Sequence, residues 1–162
     1  MKLLLGLLTA LLLLSSQLNA ASKLTEKNIN KTLDSVKIAK EHKRLKSMSR
    51  HFMSRTSVSL TEQKIDDSHT SRFTFNEYKR FLSKTWKKMK SNLIEVKERS
   101  FTIEKDGRSA LVKTTIVQTV EVDGVKTATT IYETTGLRLV KGRVYINYYS
   151  ARIMLNTAMK VN

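Results

Sequence analysis

The segment Arg108–Leu155 reads RSALVKTTIVQTVEVDGVKTATTIYETTGLRLVKGRVYINYYSARIML, and apolar and polar residues alternate along most of it with a period of two. Such alternation is typical of β-strands that have one buried face. Two dipeptides interrupt it, Asp123-Gly124 and Lys141-Gly142. Because two-residue loops with glycine second favour type I′ hairpin turns, the segment predicts three antiparallel strands joined by tight turns.

The residues before this segment predict one more strand and a helical layer. Residues 92–105 also alternate and lead into Asp106-Gly107, which predicts a fourth strand of the same meander. Residues 24–53 carry apolar positions every three or four residues, apart from one wider gap near His42. That spacing predicts an amphipathic helix that is broken once within the gap.

A second helix is predicted after a short strand at residues 57–63 and a polar loop at residues 64–71. Thr74 is the expected N-cap of this helix, and Glu77 three residues later completes a capping box. This helix carries a stripe of aromatic residues. Because the stripe has helical spacing, it is more typical of a core than of a cofactor site. The aromatic residues on that stripe are Tyr78, Phe81 and Trp86.

Hairpin register predicts which side chains share the buried face. A tight turn at Asp123-Gly124 pairs Thr114 with Glu133 on the same face as the aliphatic residues of both strands. Continuing the register from the Lys141-Gly142 turn places residues of the last strand on that face too. The predicted pairs there are Leu139/Val144, Leu137/Ile146, Thr135/Tyr148, Glu133/Ser150 and Ile131/Arg152.

Two positions predict irregularities in the sheet. Apolar residues of the fourth strand change parity between Val96 and Phe101, which predicts a bulge near Arg99. That bulge leaves either Arg99 or Glu98 in the row opposite Thr114. A glycine within a strand, Gly136, predicts another bulge or close packing against Trp86 or another large side chain.

The predicted face is aliphatic at one end and polar towards its middle. Each buried polar group costs about 1–3 kcal/mol when it has no partner, so the polar cluster must be paired, hydrated or bound to a ligand. Glu133 can form an ion pair with Arg152 across the strands, contact a ligand, or act as a catalytic base. The candidate ligand-binding residues are Thr114, Gln118, Glu133, Tyr148, Ser150, Arg152 and Arg99.

The chain has a net charge of +16, and the excess of Lys and Arg lies mainly in the two helical segments. The resulting positive electrostatic field favours anionic partners such as an anionic lipid or envelope surface. The alternative is that the long basic side chains only keep the outer faces of the helices solvated. The sequence contains no basic motif with interleaved aromatic residues, so nucleic acid is not an expected partner. The candidate residues for an anionic surface are Lys84, Lys87 and Lys88.

Metal and cofactor chemistry are not expected. The sequence contains no cysteine, and its three histidines lack the spacing of a metal site. It also lacks a glycine-rich phosphate loop and a Gly-x-Ser-x-Gly motif.

Residues 1–20 predict a signal peptide. Lys2 precedes an apolar run at residues 3–14, and small residues follow at Ala20 and Ala21. The run is too short to cross about 30 Å of hydrocarbon as a helix, although an uncleaved anchor is the alternative. Cleavage near Ala20 would leave one domain at residues 21–162, and the product is expected to be secreted or periplasmic.

The layout resembles the NTF2-like (SnoaL, ketosteroid-isomerase-like) cone, also described as cystatin-like. The resemblance rests on the N-terminal helices, the aromatic helix FNEYKRFLSKTW at residues 75–86, and the strands that end in KGRVYINYY at residues 141–149. It implies an α+β fold in which N-terminal helices pack on a curved antiparallel sheet, with a cavity on the concave face.

Enzymes of that family place an aspartate base in the cavity, with a tyrosine or second acid as partner. In this sequence only Glu133 and Tyr148 could take such roles, and no matching Asp/His or Tyr/Asp motif is present. The resemblance therefore favours a module that binds a small apolar ligand or a partner over an enzyme with Glu133 as base. Homodimerisation is expected to use the outer sheet face, which carries Val117, Thr130, Tyr132 and Tyr145.

Overall fold

A computed structural model describes residues 21–161, with side chains described through Leu155. Three helices and six strands follow one another along this part of the chain. The helices are α1 (Glu26–Glu41), α2 (Leu45–Ser49) and α3 (Phe75–Lys88). The strands are β1 (Phe52–Gln63), β2 (Ser68–Thr74), β3 (Ser91–Ile103), β4 (Ser109–Val122), β5 (Val125–Val140) and β6 (Arg143–Val161).

The strands form one sheet in the order β2-β1-β6-β5-β4-β3. The predicted meander of β3 to β6 and the predicted α+β class are confirmed. The sheet is mixed, because β1 pairs in parallel with β6 while every other neighbouring pair is antiparallel. The predicted polar loop at residues 64–71 is wrong in part, since β2 begins at Ser68 and pairs with β1.

Capping boxes fix the N-terminal ends of two helices, and the sequence predicted the second of them. Thr25 caps α1 through a capping box with Asn28, and Thr74 caps α3 through the predicted box with Glu77. The break after α1 falls at residues 42–44, where Lys43 has a positive φ of 54°. Among the described residues, no helix is long and apolar enough to cross a membrane. The predicted signal peptide lies outside the described residues.

The register between β4 and β5 agrees with the prediction along its whole length, including the pair Thr114/Glu133. Asp123 and Gly124 have positive φ values of 50° and 79°, as a type I′ turn requires. In β3 the register shifts between Val96 and Glu98, which leaves Arg99 opposite Thr114. The predicted bulge is thus confirmed, and Glu98 faces the other side of the sheet.

The register between β5 and β6 departs from the prediction at one residue. Leu137 pairs with Ile146 as expected, but the next pair is Gly136 with Tyr148, so Asn147 is an extra residue in β6. A one-residue bulge moves every later side chain to the other face. Glu133 therefore pairs with Ala151, and the pairs predicted beyond Ile146 are wrong. They are Thr135/Tyr148, Glu133/Ser150 and Ile131/Arg152.

The bulge predicted at Gly136 is confirmed by that register shift. A Cβ atom at Gly136 would lie 3.0 Å from Cβ of Tyr148 and 3.1 Å from Oδ1 of Asn147. The close neighbour of this glycine is thus Tyr148 and not Trp86.

The core lies between the helices and one face of the sheet. Its fully buried members come from both layers, because α1 and the strands each contribute one apolar stripe. They include Ile29, Met48, Val58, Val112, Leu137 and Ile146.

Candidate ligand-binding site

A lysine and a glutamate from opposite layers meet inside the fold. Lys40 lies on the face of α1 that also buries Leu33 and Val36, and its Nζ donates a hydrogen bond of 2.9 Å to Oε1 of Glu133. The side chains of Lys40 and Glu133 are only 12% and 15% exposed. Because both charges are largely withdrawn from water, each depends on the other for compensation.

Tyr149 completes this group, which is called the Lys40–Glu133–Tyr149 bridge below. Nζ of Lys40 also donates to the Tyr149 hydroxyl at 3.0 Å, and that hydroxyl donates to Oε1 of Glu133. The ring of Tyr78 is tilted against the ring of Tyr149 with centroids 5.9 Å apart. Within the described residues, the hydrogen bonds to the Glu133 carboxylate end on Oε1, which leaves Oε2 as the oxygen that a ligand could contact.

The bridge keeps its members in defined protonation states. Burial lowers the pKa of Lys40, but the negative Glu133 and the Tyr78 side chain more than offset it, so that the pKa is raised. Burial, reinforced by Glu133, raises the pKa of Tyr149 well above its usual value. The pKa of Tyr78 is also raised, chiefly by burial. Near neutral pH the site therefore holds an ammonium and two neutral phenols.

Amide side chains extend the polar cluster towards the end of α1. Asn92 donates from Nδ2 to the backbone oxygen of Lys40 at 3.0 Å, and Gln118 donates from Nε2 to Oδ1 of Asn92 at 2.6 Å. Both amides are thereby oriented before any ligand arrives.

Arg99 is held against the N-terminal half of α1. Its guanidinium donates to the carboxylate of Asp34 at 3.1 Å and 3.2 Å and also to the side-chain oxygen of Asn30. Within the described part of the chain, its buried Nε has no hydrogen-bond partner. Thr114 lies opposite Arg99 in the sheet and is buried.

The space between the helices and the sheet contains two cavities. The larger has a volume of about 170 Å³, and the smaller has a volume of about 30 Å³. Lys40, Glu133 and Tyr149 line both, so the bridge lies between them. Apolar side chains supply most of the larger cavity's wall, among them Leu60, Tyr78, Leu82, Trp86, Ile131 and Ile153.

Four of the predicted residues lie where the sequence placed them. Thr114 and Arg99 line the smaller cavity, Gln118 lines the larger, and Glu133 lines both. Their location on the helix-facing side of the sheet is confirmed, whereas their contact with a ligand stays a prediction.

The other three predicted residues are on the wrong face. Because of the bulge at Asn147, Tyr148, Ser150 and Arg152 alternate with the cavity-lining residues of β6 and point away from the helices. Tyr148 is 39% exposed, and Ser150 accepts a hydrogen bond from Ser59 at 2.9 Å. The predicted ion pair between Glu133 and Arg152 is wrong, and Lys40 takes the place of the arginine.

One of the missed residues carried a signal in the sequence. Lys40 falls four residues after Val36 and seven after Leu33, which is a core position in the spacing of α1. A charge at such a position predicts a buried partner. Tyr149 carried no comparable signal, because its face depends on the one-residue bulge before it.

The remaining predicted surfaces are present as exposed faces. Lys84, Lys87 and Lys88 are exposed on α3, and Tyr132 is 48% exposed on the outer face of the sheet. Binding of an anionic surface and homodimerisation both stay predictions. Within residues 21–161, no group of histidine and acidic side chains is arranged to hold a metal ion.

Solved structures share this architecture at low sequence identity. A scytalone dehydratase-like protein from Novosphingobium aromaticivorans aligns with a TM-score of 0.68 at 9% identity, over 84% of this chain and 87% of that protein. The hexachlorocyclohexane dehydrochlorinase LinA-type3 from Novosphingobium barchaimii aligns with a TM-score of 0.65 at 7% identity, over 83% of this chain and 88% of that protein.

An NTF2-like protein of unknown function from Pseudomonas putida gives a TM-score of 0.61 at 10% identity, over 78% of this chain and 84% of that protein. No protein-family model and no curated protein matches the sequence. At these identities the likeness shows the fold and not the activity. The chain therefore has the NTF2-like fold, an α+β cone in which helices pack against a mixed six-stranded sheet.

Proposed function

We propose that this protein is an exported binding module that holds a small, neutral and mainly apolar ligand in the larger cavity. The observation that carries this proposal is the cavity of about 170 Å³ between the helices and the sheet, with an apolar wall and the Lys40–Glu133–Tyr149 bridge on one side. Concave apolar pockets with a few convergent polar groups are the usual form of small-ligand sites.

The cavity volume limits the size of the ligand. An engineered apolar cavity of about 150 Å³ in another protein binds benzene, so this cavity suits a ligand with about one ring. Tyr78 and Trp86 in the wall offer aromatic faces to such a ring.

The charges of the bridge favour a neutral ligand. Lys40 and Glu133 already compensate each other, and an added charge in this largely buried site would lack a counter-ion. Oε2 of Glu133 can still accept a hydrogen bond from a ligand hydroxyl or amide. A neutral ring with one donor therefore matches the site better than an acid or an amine of the same shape.

Catalysis with Glu133 as base is the alternative function. The dehydrochlorinase of similar fold shows that this architecture can house a reaction, but the identity is too low to transfer it. Oε1 of Glu133 already accepts hydrogen bonds from an ammonium and a phenol, so that oxygen is engaged within the protein and is not free to take a proton from a substrate. The bridge therefore supports binding more strongly than proton abstraction.

Thermal unfolding with matched probes tests the proposal. Benzyl alcohol is expected to raise the melting temperature, while benzoate and benzylamine, which add a negative or a positive charge to the same ring, are expected to have little effect. Ala151→Leu fills the larger cavity and should remove the response to benzyl alcohol. Ser150→Leu, one residue away on the outer face, is the control and should keep it.

Equal stabilisation of the parent chain by all three probes would refute this assignment. Stabilisation of Ala151→Leu by benzyl alcohol to the same extent as the parent chain would also refute it. Catalysis is distinguished by returning a natural ligand, once isolated, to the protein. A change in the ligand's mass that Glu133→Gln abolishes would establish an enzyme instead.

Export is part of the proposal and rests on the layout of residues 1–20. The intact mass of the protein isolated from its own cells is expected to correspond to a chain that begins near Ala21. A mass that includes residues 1–20 would contradict cleavage.

A further inference from the structure

A basic cleft lies where α1, the start of β1 and the β5–β6 hairpin come together. Its volume is about 420 Å³, and none of its lining residues lines the two cavities described above. Four basic side chains line it and no carboxylate does. They are Lys31, Arg50, His51 and Arg143.

These cations differ from the three that line the smaller cavity. Lys37, Lys40 and Arg99 each form an ion pair with a carboxylate. Among the described residues, the side chains of Lys31, Arg50 and Arg143 form no ion pair and no hydrogen bond.

Two of the three uncharged polar side chains that line the cleft are already in use, and Tyr145 is the third. The Asn28 side chain donates to the backbone oxygen of Lys23 at 2.9 Å, and the Thr32 hydroxyl donates to the backbone oxygen of Asn28 at 3.1 Å. The cations and the Tyr145 hydroxyl are therefore the side-chain groups left in the cleft to hold a ligand.

We propose that this cleft binds the phosphate group of a phosphate monoester. Two guanidinium groups present planar sets of donors that match phosphate oxygens, and Lys31 adds a third positive charge. A monoester dianion can accept hydrogen bonds from all three at once. A single carboxylate would leave at least one of these cations without a partner.

His51 reports on occupation of the cleft. Burial lowers its pKa, and the positive charge of Arg50 lowers it further. The other charged groups that line the cleft, Lys31 from α1 and Arg143 from β6, are cations as well. A bound dianion opposes their effect and raises the pKa of His51, so affinity must increase as pH falls.

Sulfate is the first probe, because it stays a dianion throughout the pH range in which histidine titrates. NMR titration of the His51 ring is expected to show saturable binding and an upward shift of its pKa. Lys31→Ala/Arg50→Ala/Arg143→Ala should weaken sulfate binding by at least about tenfold, since charge-assisted hydrogen bonds are lost.

The control variant removes the same residue types elsewhere. Lys113→Ala/Arg72→Ala/Arg138→Ala takes one lysine and two arginines from exposed positions that do not line the cleft. It should keep the affinity for sulfate to within about twofold. Equal losses in the two variants, or no saturable shift at His51, would overturn the site in favour of general attraction by a basic protein.

Two further probes separate the sources of the phosphate. Glycerol 3-phosphate represents a soluble monoester, and vesicles with phosphatidic acid represent a lipid headgroup. Loss of binding to either probe in the cleft variant supports the site and names the source. Retained binding of both would overturn it.

The benzyl alcohol response tests the apolar cavity separately. It should persist in the cleft variant, so that the failure of one proposal is not mistaken for the failure of the other.

Discussion

Lys40 is a charged residue at a position where α1 otherwise buries aliphatic side chains. Its ammonium is largely withdrawn from water, and Glu133 and Tyr149 replace the lost hydration with hydrogen bonds. Removing one partner of such a pair leaves the other charge buried without compensation.

We expect Lys40→Met to lower the free energy of unfolding by about 3 kcal/mol, because it leaves the Glu133 carboxylate buried without a counter-ion. Urea unfolding at pH 7 measures this loss. Lys37→Met is the matched control, since the same helix holds Lys37 in a more exposed i,i+4 pair with Glu41, worth at most about 1 kcal/mol.

Lys40→Met/Glu133→Gln removes both charges and should recover most of the stability lost in the single variant. Equal costs for Lys40→Met and Lys37→Met would show that the bridge is no more than a surface ion pair.

The raised pKa values predict loss of stability at alkaline pH. Lys40 and Tyr149 bind their protons more tightly in the folded chain than in the unfolded chain. Their contribution is therefore complete below the ordinary pKa values of about 10 and is lost as pH rises above them. Melting temperatures should fall steeply from pH 10 upward, and less steeply in Tyr149→Phe.

Tyrosinate absorbance provides an independent check. Tyr78 and Tyr149 should ionise only as the chain unfolds, so part of the absorbance must appear together with the loss of helix. Complete tyrosine ionisation before unfolding would contradict the buried bridge.

The sequence was sufficient to predict the face on which Glu133 lies, but insufficient to predict its hydrogen-bond partners. The register at Glu133 follows from a tight turn ten residues away, which is local information. Lys40 is separated from Glu133 by 93 residues, and only its apolar neighbours in α1 signalled its burial. Tyr149 depends on whether β6 contains an extra residue, which alternation alone does not reveal.

The bulge in β6 decides which residues of that strand line the cavities. Gly136 of β5 faces it, and a Cβ atom at this position would be in tight contact with Tyr148 and Asn147. With a normal register, Tyr148 would point towards the helices and Tyr149 away from them.

We expect Gly136→Ala to destabilise the fold by about 1–3 kcal/mol, because the added methyl group would lie only 3.0 Å from Cβ of Tyr148, an atom fixed to the backbone. Urea unfolding measures the effect. Gly124→Ala is the comparison, since nothing lies within 4 Å of its Cβ position and only its positive φ opposes the change. A Gly136→Ala variant as stable as the parent chain would contradict the tight contact.

Long-range pairing explains why the sequence predicted a strand at residues 57–63 but not its place in the sheet. The meander from β3 to β6 was predictable because each hairpin carries its own turn signal. The parallel pairing of β1 with β6 joins residues about 90 positions apart, as in Ser59/Ser150, and no turn signals it. The edge strand β2 was mistaken for a loop because its residues are polar and exposed.

The Lys40–Glu133–Tyr149 bridge divides the interior of the whole molecule into two cavities. We expect Lys40→Ala/Glu133→Ala to join them, because it shortens two side chains that line both. The joined space should admit 2-naphthol, a two-ring probe that is too large for the larger cavity alone.

Thermal unfolding measures this change in ligand size. 2-Naphthol should raise the melting temperature of the double variant and leave that of the parent chain unchanged. The opposite pattern would show that the bridge does not limit the size of the ligand.

Occupation of the larger cavity in the cell is measured by native mass spectrometry of the protein isolated from its own compartment, before and after denaturation. We expect an extra mass that corresponds to a neutral compound of about one ring, that is lost on denaturation and is absent from Ala151→Leu. A native mass equal to that of the chain alone, or an extra mass that persists in Ala151→Leu, would contradict a ligand in this cavity.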